Sequence, residues 1–271
     1  MKIAIIGVGN LGYSIALGIL SEDNVNFDSL YLSKRNTNTL RSFKNIPNVK
    51  ITSDNNEAVK NSDVIILAVQ PNHLEGVLET IKTEIDPKKH TVISAITGRT
   101  IAQIEEVLPK GTAIIRSMPN TAISVSQSMT CLSANNKGKK NIKCAKTIFN
   151  ALGKTMCIEE ELMQAATVIC ASGIAFWMRL IRATTQGAIQ LGFDAAEAQE
   201  LSMQTCLGAA SLGAASLLVK TESHPEQEID RVTTPRGCTI SGLNEMEHEG
   251  LSSALIKGLV KSFDKINEIK N

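Results

Sequence analysis

Three glycines at positions 7, 9 and 12 stand directly after the apolar run Lys2–Ile6, in the order Gly7-Val8-Gly9-Asn10-Leu11-Gly12, and open a helical stretch. In this setting each glycine has a physical task. Gly7 permits a tight turn, Gly9 lets a pyrophosphate approach the backbone, and Gly12 lets helix pack closely on strand. The helix that follows offers unpaired N–H groups and positive potential to phosphates. A tight strand-to-helix turn without a ligand would use the same residues, so the rest of the chain has to decide.

Further strand-like runs alternate with helical stretches over the first ~158 residues. They are Leu30–Ser33, Val49–Thr52, Val64–Val69, Thr91–Ala95 and Ala113–Ser117, with Met129–Ser133 and Thr155–Ile158 as added edge strands. Several are continuous Val/Ile/Leu stretches, as expected for strands covered on both faces. The pattern predicts an α/β fold, a doubly wound, mostly parallel sheet of the Rossmann type, over 1–158. From 159 to 271 strand signal fades and Ala, Gln, Met and Leu dominate, which predicts an all-helical domain. Gly208–Leu212 and Gly213–Leu217 repeat GAASL, suiting a helix that a neighbour approaches closely. His224-Pro225 interrupts the helical run and Thr233–Gly242 reads as a loop. Leu255, Leu259, Phe263 and Ile266 then mark a final amphipathic helix. Long apolar helices with little to cover them predict a homodimer or a larger homo-oligomer.

The end of the second strand selects the dinucleotide. An Asp or Glu there would bond a ribose 2′-hydroxyl, but the chain reads Leu32-Ser33-Lys34-Arg35-Asn36. A hydroxyl and two cations suit a 2′-phosphate, which favours NADP(H) over NAD, although a solvated turn would read the same. Ligands of open α/β sheets bind beyond the carboxyl ends of strands near the switch point. That rule puts Asn55 on the adenosine side and Ala68-Val69-Gln70-Pro71-Asn72 against the ribose and nicotinamide. Ser94–Gly98, which includes Thr97, and Arg116–Thr121 complete one rim.

Composition narrows the function classes. Lys+Arg 28 against Asp+Glu 27 gives a net charge of +1, and aromatics are only 3%. Neither a charge excess nor a stacking platform argues for nucleic acid, and a small-molecule substrate is expected. The six cysteines contain no CxxC pair and do not cluster with the four histidines, so no metal site is expected. His73, His90, His224 and His248 read as surface or turn residues. Leu201–Val219 is uncharged over 19 residues but diluted by polar ones. It reads as a helix buried against protein rather than a membrane span. No signal-peptide order opens the chain, so the expectation is a soluble, reduced, cytoplasmic protein.

GVGNLG, AVQPN, RSMPNT and HPEQEIDRVTTPRGCTISGL occur here in the order and spacing of one family. On these motifs the chain resembles pyrroline-5-carboxylate reductase over nearly its whole length. The resemblance implies a Rossmann domain, an intertwined dimeric helical domain, and NADPH-dependent reduction of a five-membered cyclic imine bearing a carboxylate. It assigns cofactor contacts to Gly7, Gly9, Asn10, Leu11, Gly12, Ser33, Arg35, Asn55, Ala68, Val69, Gln70 and Thr97, with Arg231 a further one. It maps the substrate loop onto Thr234–Thr239, with Gly237, Cys238 and Thr239 as contacts, and Glu222 upstream. In that reading Thr239 bonds the ring nitrogen and is the catalytic residue; the alternative is that it merely caps a helix.

Three departures from the family pattern are visible. Arg236 stands where a glycine is usual, demanding a different φ or filling space near the anion site. Cys170–Phe176 reads CASGIAF in place of SGSGPAY, and Gln70 replaces a common Lys. The reading therefore keeps two alternatives, a related NADP-dependent reductase of another imine or small carbonyl compound, and a non-catalytic NADP-binding protein.

Overall fold

Ile3–Ile6 and Val64–Leu67 have side chains pointing alternately to opposite faces, and nearly all are fully buried. Such strands lie at the centre of a sheet covered on both sides. The computed structural model describes residues 1–21, 25–218 and 224–270. Its strands are β1 (Lys2–Ile6), β2 (Ser29–Ser33), β3 (Val49–Thr52), β4 (Val64–Leu67), β5 (Thr91–Ser94), β6 (Ala113–Met118), β7 (Ser128–Ala134) and β8 (Gly153–Cys157). They form one sheet in the order β3-β2-β1-β4-β5-β6-β7-β8. The first six are parallel, β7 runs antiparallel to β6, and β8 is parallel to β7. Order reverses between β1 and β4, the switch point of a doubly wound sheet.

The helices between them are α1 (Asn10–Ser21), α2 (Asn55–Lys60), α3 (Leu74–Ile81), α4 (Ile101–Glu105) and α5 (Asn136–Asn150), and α6 (Met163–Ala166) follows β8. Two cores result, one per face. Ile3, Ile5, Ile66, Ile93 and Ile115 meet Ile15, Ile19 and Phe149 on one side. Ala4, Ile6, Ile65 and Leu67 meet Leu74, Leu78 and Ile104 on the other. The buried set of α1, at Gly12, Ile15, Ala16 and Ile19, recurs at helical spacing. α2 starts at an Asp54 cap and α4 at a reciprocal Thr100/Gln103 capping box.

Several expected strand ends shift. β4 stops at Leu67 rather than Val69: Ala68 still donates to Ile6 O at 2.8 Å, after which the chain turns into Pro71. β5 ends at Ser94, before Ala95. Of the two expected edge strands only β8 is an edge. β7 lies between β6 and β8, and Thr130, Cys131 and Leu132 are buried there accordingly. His90 is also corrected. It is buried, its Nδ1 accepts from Asp86 N at 2.9 Å, and its Nε2 has no partner among the described residues.

The chain divides into two compact units, Met1–Ser172 together with the C-terminal end from Ser262, and Gly173–Lys261. The second is built from α7 (Gly173–Gln190), α8 (Ala195–Leu218), α9 (Pro225–Arg231), α10 (Cys238–His248) and the start of α11 (Leu251–Lys270). α7 and α8 pack on each other. The turn between them places Gly192 at φ +113° and ends on Asp194, whose Oδ1 accepts from Ala196 and Glu197 N–H groups at 2.8 and 2.9 Å. α9 opens with Pro225 in its first turn and a His224 side-chain cap. The expected loop Thr233–Gly242 is shorter, because α10 begins at Cys238. The expected burial of the Leu201 segment is not seen within the chain. Leu207 is 60% and Leu212 61% exposed, and only Ala198 and Ser202 of the described α8 residues are buried. On α11, Leu255, Leu259, Phe263 and Ile266 are half-buried along one stripe, as the spacing predicts.

Candidate active site

The turn after β1 is pinned to the end of β2: Gly7 N and Val8 N both donate to Ser33 O, at 3.0 and 3.2 Å. Gly7 adopts φ +90°, and an added Cβ there would meet the Ala68 carbonyl at 3.0 Å and the Val69 side chain. Gly12 is buried against the same turn, where a Cβ would lie 2.6 Å from Gly7 O. The two glycines thus let β1, β4 and α1 converge, and leave the first-turn amides of Asn10, Leu11 and Gly12 at a helix N-terminus.

Beyond the carboxyl ends of β1, β2 and β4 lies a crevice of about 680 Å³. Gly7, Val8 and Gly9 form one wall, Ser33–Asn36 and Asn55 another, and Ala68, Val69 and Gln70 a third. The buried Ser33 hydroxyl donates to Asn55 Oδ1 at 2.6 Å, locking β2 to the start of α2. Glu57, the nearest acid on α2, accepts the Thr52 hydroxyl at 2.6 Å. Arg35 is exposed, and neither Lys34 nor Arg35 has an ion-pair partner among the described residues. A glycine cradle beside two unpaired cations fits a phosphorylated dinucleotide.

The crevice therefore gathers Gly7, Gly9, Ser33, Arg35, Asn55, Ala68, Val69 and Gln70. Asn10, Leu11 and Gly12 stand behind its glycine wall rather than lining it. Thr97 is exposed on the next strand end, with its hydroxyl 3.9 Å from Met118 Sδ. The structure adds His73, Gly76 and Val77, which line the crevice from the Pro71–His73 turn and α3. No local sequence signal marks this wall: an added Cβ on Gly76 would meet nothing within 4 Å, so the glycine there is not sterically required.

The expected substrate residues are in the second unit, and Glu222 lies outside the described residues. Gly237 is the N-cap of α10, Cys238 its first residue and Thr239 its second. Thr239 is therefore not the cap, and its hydroxyl does not serve as one. Arg236 sits at φ +59°, so it keeps the left-handed conformation that glycine adopts readily rather than demanding another. An added Cβ on Gly237 would run into the Thr234 hydroxyl. Arg231, on the last turn of α9, pairs with Glu228 at 2.6 Å.

At the end of β6 a buried ion pair braces the first unit. Arg116, 4% exposed, donates to Glu160 Oε1 at 3.0 Å, and the same oxygen accepts from Ile101 N at 2.7 Å. Burial pulls the guanidinium pKa down while Glu160 opposes that shift. Asn120 caps the following turn through Oδ1 and donates from Nδ2 to Cys170 O at 2.8 Å.

Residues 160–269 match the pyrroline-5-carboxylate reductase dimerisation family, and 2–98 match the family described as NADP oxidoreductase coenzyme F420-dependent. Pyrroline-5-carboxylate reductase 2 of Dictyostelium discoideum is 40% identical, over 97% of this chain and 91% of its own length. Pyrroline-5-carboxylate reductase 1 of the same organism is 42% identical over 97% of this chain, which spans about half of that longer protein (49%). The solved pyrroline-5-carboxylate reductase of Coxiella burnetii superposes with a TM-score of 0.88 at 31% identity, covering 100% of this chain and 98% of that one. With the glycine cradle, the cations after β2 and a helical second half in place, the chain belongs to the pyrroline-5-carboxylate reductase family.

Proposed function

We propose that this protein reduces 1-pyrroline-5-carboxylate to L-proline with NADPH. The observation that carries the reading is the crevice at the switch point, with its glycine wall and unpaired Lys34 and Arg35, in a chain 40% identical to such a reductase over nearly the full length of both. Dinucleotide binding belongs to 1–158, and dimerisation and substrate binding to 159–271, a division the match over 160–269 supports.

The nicotinamide cofactor, when bound, supplies the hydride that C5 of the protonated imine accepts. The chain's own residues hold and orient. Gly7, Gly9 and the first-turn amides of α1 receive the pyrophosphate, and Ser33, Arg35 and Asn55 the 2′-phosphoadenosine end. Ala68, Val69, Gln70 and Thr97 border the nicotinamide side, with Arg231 a further contact. The amides of Gly237 and Cys238, at the N-terminus of α10, bind the substrate carboxylate, with Glu222 upstream. The Thr239 hydroxyl bonds the ring nitrogen and fixes which carbon faces the hydride. Since a cyclic imine is readily protonated, positioning and water exclusion carry the rate.

The same reading makes the protein a cytoplasmic homodimer or larger homo-oligomer, with no nucleic-acid or membrane partner. The helical run Glu160–Gln190 is long and apolar enough to cross a membrane by length and composition. Its exposed Trp177 and Met178 are assigned instead to the surface a second copy covers.

The test is NADPH oxidation by purified protein with pyrroline-5-carboxylate, and NADH in parallel. Saturable turnover that prefers NADPH is the expected result. Turnover only with another imine would move the substrate assignment, and tight NADPH binding without turnover on any imine would remove the enzyme.

A further inference from the structure

Cys131 and Cys170 are far apart in sequence and come together in one side-chain cluster. Cys131 lies on β7 opposite Met118 of β6. Cys170 lies in the π-helical turn Thr167–Ser172 and packs on the cluster of Met118, Cys131, Met163 and Ala166. The Asn120 amide, two residues beyond Met118, holds the Cys170 carbonyl at 2.8 Å and fixes the turn against the strand ends. Cys131 is buried and Cys170 half-buried, so Cys170 is the more accessible residue of the two. The neighbouring Cys131 side chain lowers the Cys170 pKa to about 7, against the opposing effect of burial, while Cys170 and burial together raise that of Cys131. π turns inserted in α-helical runs recur at functional sites. The reductase reading uses neither sulfur.

We propose that Cys131 and Cys170 form an oxidisable dithiol, with Cys170 attacking a hydroperoxide and Cys131 resolving the product as an intramolecular disulfide. With hydrogen peroxide, the Cys170 thiolate attacks one oxygen and the O–O bond breaks. Cys170 becomes a sulfenic acid, and the departing hydroxide takes a proton to leave as water. The Cys131 sulfur then attacks the Cys170 sulfur, the S–O bond breaks, and a second water leaves with the Cys131 proton. Two thiols and one peroxide give one disulfide and two waters, so the peroxide is the only co-reactant required. The product ties β7 to the turn that leads into α7.

The experiment uses the reduced, desalted full chain, treated with a small excess of hydrogen peroxide, alkylated and mapped by mass spectrometry. The expected result is the loss of two hydrogens, a Cys131–Cys170 linked peptide, and its disappearance with dithiothreitol. A thiolate fraction set near neutral pH should make Cys170 react about tenfold faster than the exposed Cys157 and Cys238. In C131S the sulfenic acid on Cys170 should persist and be trapped by dimedone. Alkylation of both Cys131 and Cys170 while Cys157 or Cys238 is oxidised would overturn the proposal. So would a sulfenic acid on Cys170 of the unmodified chain that never becomes a disulfide. Mapping of the unmodified chain decides even where C131S does not fold, and it reads thiols rather than turnover, so it stands apart from the reductase reading.

Discussion

The two compact units bury their side chains very differently. In Met1–Ser172, strand after strand is closed on both faces, and the two cores together leave few large apolar groups in water. In Gly173–Lys261, only Gly173, Thr185, Ala198 and Ser202 are buried among the described residues, while Trp177, Met178, Leu207 and Leu212 are exposed. A parallel sheet with helices on both sides satisfies its own hydrophobic surface. A pair of long helices packed mainly on each other cannot, and leaves exposed apolar residues such as Trp177, Met178, Leu207 and Leu212 for something to cover. The lesson is that the first unit closes its own hydrophobic surface, whereas the second leaves much of its apolar surface uncovered within one chain.

That contrast can be broken in the first unit most severely at the Arg116–Glu160 pair. Glu160→Ala leaves a buried guanidinium and the Ile101 amide without their shared acceptor. The expected loss is about 3 kcal/mol, the low end for a broken buried pair because Glu160 keeps some water. Urea unfolding checks it, and an unchanged midpoint would show that the pair braces nothing. Leu207→Asp probes the other side. It should change the folding of a single copy by less than about 0.5 kcal/mol. It should also weaken self-association by about a hundredfold, about 2.7 kcal/mol, as read by sedimentation equilibrium. An unaltered association constant would take that face out of the interface.

Two further variants separate the ligand chemistry of the units. Arg35→Asp should cost about 2 kcal/mol of NADPH affinity, the value of a lost charge-assisted bond, and far less for NADH. Equal losses in a titration of both would defeat the 2′-phosphate assignment. Thr239→Ala should lower kcat/KM about tenfold, about 1.4 kcal/mol, with NADPH binding unchanged. If steady-state kinetics show no difference, Thr239 leaves the substrate site.

The smallest effect is one of pH. Burial, aided by the Lys89 charge, lowers the His90 pKa below its ordinary value. The folded state then binds fewer protons than the unfolded one as pH drops through about 6.5. Stability is fully present above that value and is lost progressively below it, toward the lowered folded pKa. Urea midpoints taken between about pH 7.5 and 5 should fall on the acid side, and His90→Gln should flatten that slope. The described residues of the second unit bury no titratable group, so no matching acid response is expected from it.

What could be read from the sequence follows the range of the interactions involved. All eight strands were legible, because short β-rich runs between turn residues, several of them continuous Val/Ile/Leu stretches, are a local signal. So was most of the lining of the crevice at the switch point, because Gly7 and Gly9 and the cations after β2 act through backbone geometry and charge at adjacent positions. The stripe of α11 was legible from its spacing alone. His90 was misread because nothing near it in sequence announces the packing that buries it, and β7 because strand order in a sheet is a long-range property. The conformation of Arg236 could not be anticipated either. A left-handed φ at a non-glycine residue is imposed by the Thr234–Gly237 turn and the start of α10, not by the arginine.

By itself, the sequence determined the doubly wound first half, the helical second half and the chemistry of the glycine turn, because periodicity and steric permission are encoded residue by residue. Tertiary structure alone decided the Arg116–Glu160 brace, the wall formed by His73 and Val77, the burial of His90 and the meeting of Cys131 with Cys170. Each of these depends on bringing distant segments together, and the free energy that does so comes from burying the whole core rather than from any one of the residues involved.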